Sequence, residues 1–200
     1  MRKFINLIVG LPICFLSICF SENSPSVPVV PLPEGVESVW DLKTAYRETT
    51  PTQERICING LWQFQPVVTN GEDIPSDGWG FIKVPAPWPA RIGDYMWRET
   101  QKAYPHPSWE NADLDAIHQA WYQREISIPE DWSDRRVILS LEYLNSYAAI
   151  YIDGVKMGEI HFPGGEVDIT PACRSSVQHR LTIFTVAMPL KAVIQSYTIP

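Results

Sequence analysis

The 200-residue chain carries 16 Lys plus Arg against 23 Asp plus Glu, a formal net charge of −7. That balance gives no support for nucleic-acid binding, which requires a basic face, while leaving a neutral partner such as a sugar open. Hydrophobic residues at 45% and eight Trp suffice for one real core, and eighteen Pro with eleven Gly favour many turns and short strands over long helices.

The N-terminus reads as a targeting segment over residues 1–21. Met1-Arg2-Lys3 gives a positive start, Phe4 to Phe20 is apolar, and polar "SENS" follows. The apolar run is short for a membrane span and no positive stop signal follows it, so a cleaved signal peptide and an exported chain, periplasmic or extracellular, are expected. Leu16-Ser17-Ile18-Cys19 resembles a lipobox, with Ile18 where a small residue belongs. A membrane lipid anchor at Cys19 is therefore the alternative.

Residues 22–54 read as a Pro-rich linker and lead-in. "SENSPSVPVVPLPEG" carries four prolines and predicts an extended, unpacked spacer. "ESVWDLKTAYRE" spaces Val39, Trp40, Leu42, Ala45 and Tyr46 at a roughly helical period, which predicts a short helix or an irregular lead-in. Two cysteines remain downstream of the targeting segment, Cys57 and Cys173. Export permits a disulfide between them, but no spacing argument brings them together, and two free buried thiols are the reading adopted.

From Arg55 to Met188 the pattern is β. "RICINGLWQFQPV" alternates, "WGFIKV" is short and is stopped by "PAPWP", and "QAWYQREISI" puts Ala120, Tyr122, Ile126 and Ile128 on one face. Arg124 and Glu125 lie mid-strand, so one of them should meet a buried polar partner. "RRVILSLEY" turns Val137, Leu139 and Leu141 inward. Asp153-Gly154 between "SYAAIYI" and "VKMGEIHF" suits a two-residue type I′ hairpin, because both central positions need φ > 0. "GGEVDIT" and "HRLTIFTVAM" complete the series. The expected fold is all-β, an antiparallel sandwich or jelly roll. Residues 189–200 read as an apolar tail.

Taken in order, "INGLWQF", "VPAPWP", "AWYQREISIPEDW", the Asp153-Gly154 hairpin, "GGEVDIT" and "HRLTIFTV" resemble the N-terminal sugar-binding domain of glycoside hydrolase family 2, as in β-galactosidases, β-mannosidases and β-glucuronidases. The resemblance covers about Arg55 to Met188. It implies a galactose-binding-domain-like jelly roll, followed in the family by an immunoglobulin-like sandwich and a TIM-type barrel that holds the catalytic pair. Retaining glycosidases need two carboxylates about 5–5.5 Å apart. The family's acid/base sits in an Asn-Glu pair, and no such dipeptide occurs between Met1 and Pro200. The resemblance thus implies a chain of the β-galactosidase-like class whose catalytic barrel is missing, inactive alone, or a freestanding carbohydrate-binding module. Asp131, Asp134, Glu142 and Asp168 read as turn and surface carboxylates. Catalytic residues, metal ligands and cofactors are assigned to none of the positions; the four His have no metal spacing.

The insertion Ala90 to His118, "ARIGDYMWRETQKAYPHPSWENADLDAIH", is aromatic and polar, and such loops carry function. The family's large β-galactosidases bear a Tyr-Thr-Asn-x-x-Tyr-Pro run there that reaches the active site. Glu99-Thr100-Gln101-Lys102-Ala103-Tyr104-Pro105 has similar spacing. The resemblance implies substrate contact at Gln101, whose amide suits sugar hydroxyls, and at Tyr104. Trp97 and Trp109 are candidates for stacking on a sugar face, with packing inside or between domains as the competing role.

Overall fold

The computed structural model describes residues 28–67, 73–86, 88, 103–109, 112, 114 and 117–187. Eleven strands run in order through these residues: β1 Arg47–Thr49, β2 Glu54–Ile56, β3 Gly60–Pro66, β4 Gly80–Val84, β5 Ala103–Tyr104, β6 Gln119–Ser127, β7 Ile138–Leu141, β8 Tyr147–Ile152, β9 Val155–His161, β10 Gly165–Asp168 and β11 Gln178–Val186. The main sheet has seven strands in the order β5-β4-β3-β6-β11-β8-β9, and two two-stranded sheets, β1-β2 and β7-β10, accompany it. Every pairing between named strands is antiparallel. The all-β antiparallel class expected from the sequence is the class observed.

Period-2 alternation explains the layering. Ala120, Arg124 and Ile126 of β6 point to one face, together with Ile150 and Ile152 of β8 and Leu181 and Ile183 of β11, and all are buried. β7 and β10 cover that face with Leu139 and Val167, and Ile169 follows β10 into the same cluster. Each fully buried aliphatic side chain contributes about 1.5–3 kcal/mol, so this one layer dominates stability. A second cluster forms around Phe64, Ile82, Trp109 and Ala120 at the other end of the sheet.

The β8–β9 hairpin turns at Asp153 (φ 50°) and Gly154 (φ 83°), as the type I′ signature predicts. The Pro-rich spacer differs from expectation. Pro28–Val30 is not unpacked: Val29 bridges Trp79, with Trp79 N–H donating to Pro28 O at 3.0 Å and Val30 N–H to Trp79 O at 2.9 Å. Residues 37–46 take the irregular of the two expected forms, with a turn at 42–44, and Trp40 packs on the core while its indole donates to Cys57 O at 3.0 Å. Strand structure also begins before Arg55, at Arg47. The prolines suppress helix, but extended backbone with apolar side chains can still dock on a sheet. Cys57 and Cys173 are free thiols, and burial pushes the Cys173 thiol up to about 11. Residues 1–27 and 188–200, with the targeting segment and the whole tail, lie outside the described residues.

Candidate functional site

The insertion that carries the candidate sugar contacts returns to the fold at β5. Tyr104, half-buried, stands opposite Phe81 of β4 on the sheet edge. A 3-10 turn at Pro107–Trp109 follows, and His106 is buried beside it with its Nδ1 2.7 Å from Ser108 Oγ. Trp109 is 4% exposed. Its indole N–H donates to Gly78 O at 3.0 Å, and its ring meets Phe64 edge-on at 5.7 Å. Gly80 makes room for it: a Cβ there would lie 2.4 Å from Trp109 Cη2 and 2.4 Å from Tyr104 O.

Trp109 is thus packed in the second core cluster among the described residues. The departing end is anchored in the same way, with Trp88 Nε1 donating to Tyr122 Oη at 2.6 Å. Burial drives the Tyr122 phenol well above its ordinary range, so it stays a neutral acceptor for that bond. Phe64 lies within 6.5 Å of Trp88, 5.7 Å of Trp109 and 5.1 Å of Tyr122, centroid to centroid. Two chain ends meeting one aromatic cluster give the insertion a rigid base. Trp97 and Gln101 lie outside the described residues.

Of the mid-strand pair on β6, Arg124 is the buried member. Its guanidinium donates from Nη1 to Ile58 O (2.6 Å) and Asn59 O (2.9 Å), and from Nη2 to Leu61 O (2.8 Å) and Ser38 O (3.3 Å). It lies 5.1 Å from the Trp62 ring centroid. Burial lowers it to about 10. Backbone carbonyls from the lead-in and from the β2–β3 connection converge on this one cation, so Arg124 binds three segments together. Gly60 (φ 134°) is needed beside it, since a Cβ would come within 3.1 Å of Nη2.

The surface carboxylates are engaged structurally. Asp168 pairs with Arg136 at 3.0 Å, Glu125 with Arg180 at 3.0 Å, and Glu54 accepts from Trp132 Nε1 at 2.8 Å. On the sheet face opposite the main core, a trough of about 790 Å³ is floored by Gln63, Gln123 and Thr182. The sequence reading passed over it. Its signal was present in the polar residues at alternate β6 positions, Gln119, Gln123 and Glu125.

No protein-family model matches the chain. β-Glucuronidase of Rattus norvegicus is 28% identical over 162 residues, covering 78% of this chain and 24% of that protein. β-Glucuronidase of Mus musculus is 25% identical over 162 residues. These likenesses support a glycoside hydrolase family 2 N-terminal domain. The chain shares its fold with a β-glucuronidase from an uncultured Clostridium species, at TM-score 0.50 and 20% identity over 64% of this chain and 21% of that one. It shares it also with Ruminococcus gnavus β-glucuronidase solved with D-glucuronic acid, at TM-score 0.50 and 14% identity over 65% of this chain and 21% of that one. The match spans about a quarter (24%) of the length of the curated relatives.

Proposed function

We propose that this family 2 domain is the non-catalytic N-terminal part of an exported glycosidase, acting on β-glucuronides with an immunoglobulin-like domain and a catalytic barrel. The observation that carries the reading is the 28% identity over 162 residues to a β-glucuronidase. The same likeness favours a β-glucuronide over the β-galactoside that the loop motif suggests. The domain's part is to hold the 90–118 insertion, with Gln101 and Trp97, toward the barrel's sugar. The stiff base formed by Trp88, Trp109 and Phe64 supports that role, because a positioning loop needs fixed ends. The export segment at residues 1–21 belongs to the same proposal.

The experiment is an assay of the purified 200-residue chain on aryl β-glucuronides, β-galactosides and β-mannosides, with a parallel NMR titration by methyl β-D-glucuronide. No hydrolysis is expected, since two opposed carboxylates are required. One wall of a pocket leaves most of a monosaccharide in water, so a dissociation constant of about 1 mM or weaker is expected, or roughly −4 kcal/mol. Hydrolysis by the chain alone would contradict the assignment. Micromolar affinity unaffected by Gln101→Ala would point to a freestanding binding module instead.

A further inference from the structure

The trough on the open sheet face has the composition of a ligand site, and none of its lining residues belongs to the insertion. Gln63, Gln123 and Thr182 stand in one cross-strand row, because Gln63 pairs with Gln123 on β3–β6 and Thr182 with Gln123 on β6–β11. Gln123 Nε2 donates to Thr182 Oγ1 at 3.1 Å, which fixes the amide and leaves its Oε1 without a bond among the described residues. The Gln63 amide has no partner among them at all, although the chain around it is ordered strand.

The next row holds Glu125 and Arg180. Both Arg180 bonds, from Nε at 3.1 Å and Nη2 at 3.0 Å, fall on a single carboxylate oxygen, Glu125 Oε1. Glu125 Oε2 and Arg180 Nη1 therefore have no bond among the described residues and are available to a ligand. Pro75 and Trp79 form the wall, and the bridge from Val29 to Trp79 holds that wall upright. The volume of about 790 Å³ falls within the range of about 300–1,000 Å³ usual for small-molecule sites.

We infer that this trough is a binding site for a neutral glycan, distinct from the glucuronide contact proposed for the insertion. Amide carbonyl and carboxylate oxygens alternate there with amide and guanidinium donors. Adjacent hydroxyls of a pyranose each donate and accept, so they match such an array. Charge selects against a uronate: Glu125 and Asp153 both line the trough, against Arg180 as its guanidinium. A ligand carboxylate would meet two like charges for one opposite.

The test uses the 200-residue chain, isotope-labelled, titrated separately with cellobiose, lactose and maltose as neutral probes and with methyl β-D-glucuronide as the charged one. At least one neutral disaccharide should produce saturable shifts at the Gln63 and Gln123 side-chain amides in the millimolar range, and the glucuronide should leave them unmoved at equal concentration. Gln63→Ala, which removes a side chain with no bond among the described residues, should keep the spectrum dispersed and weaken that binding by about 2- to 10-fold. The inference is overturned if none of the three disaccharides moves these amides, if Gln63→Ala binds unchanged, or if the shifts map only to residues 90–118. Failure of the glucuronidase reading would show instead in the hydrolysis and coding data, which do not touch this face.

Discussion

The His179 imidazole, 4% exposed, holds the Asp153 carboxylate at 2.7 Å and so clamps the β8–β9 turn onto the start of β11. On its other side the ring meets the Arg174 backbone, with Nε2 2.8 Å from Arg174 N and 3.0 Å from Arg174 O. The other carboxylate oxygen accepts Arg180 N–H at 2.8 Å.

A pH dependence follows from that clamp. Burial alone would raise the Asp153 carboxyl, but the bonds from His179 and the Arg180 N–H outweigh it and hold it below its ordinary 3.8. A carboxylate with a depressed folded-state value stabilises the fold above the unfolded value and loses that contribution as pH falls through the folded one. Thermal midpoints of the wild type should therefore drop as pH falls below about 4, and those of Asp153→Asn should drop less. Parallel midpoint curves for the two proteins would refute the clamp's charge dependence.

Gly154 isolates the backbone cost of the same turn. A Cβ there meets no atom within 4 Å, so substitution adds strain at φ 83° and no clash. Gly154→Val should lower stability by about 1–3 kcal/mol in urea unfolding. An unchanged midpoint would contradict the left-handed turn.

Arg124 supports a larger effect. Arg124→Met retains much of the stem but strips hydrogen bonds from the carbonyls of Ser38, Ile58, Asn59 and Leu61. Each unsatisfied buried carbonyl costs about 1–3 kcal/mol, partly relieved by water, so a loss of about 3 kcal/mol or more is expected. Limited proteolysis should then cut within residues 38–46 before the sheet unfolds. Equal cleavage rates in wild type and variant would show that the lead-in is held by other contacts.

Gly80→Ala tests the base of the insertion. The added methyl would lie 2.4 Å from backbone Tyr104 O as well as from Trp109, so the strand edge or the ring must move. Overpacking of this kind costs about 1–3 kcal/mol. The Trp109 indole signal in an NMR spectrum should shift, while the signals of the distant β8–β9 hairpin stay in place. A Trp109 resonance at its wild-type position would mean that the ring does not sit on Gly80.

The parts of this fold that the sequence announced are those governed by local rules. Asp153-Gly154 between two alternating runs leaves few choices for the backbone, and β6, β8 and β11 carry their faces in their periodicity. Contacts between distant residues were hidden. The docking of Val29 depends on Trp79, and the burial of Trp109 depends on the missing side chain of Gly80, 29 positions earlier by residue number. An aromatic residue in a polar insertion looks the same whether it awaits a sugar or fills a core. Arg124 stood between these cases: its place on the buried face could be counted off, but its four carbonyl partners came from segments with no sequence mark.

The central claim, that this is the N-terminal domain of a multidomain family 2 glycosidase, is tested most directly by sequencing the coding DNA through and beyond the Pro200 codon. The account predicts coding for a second β-sandwich and then a barrel, in the same or an adjacent reading frame, with an Asn-Glu pair and a second carboxylate to complete the retaining dyad. DNA encoding neither domain downstream of Pro200 would contradict it.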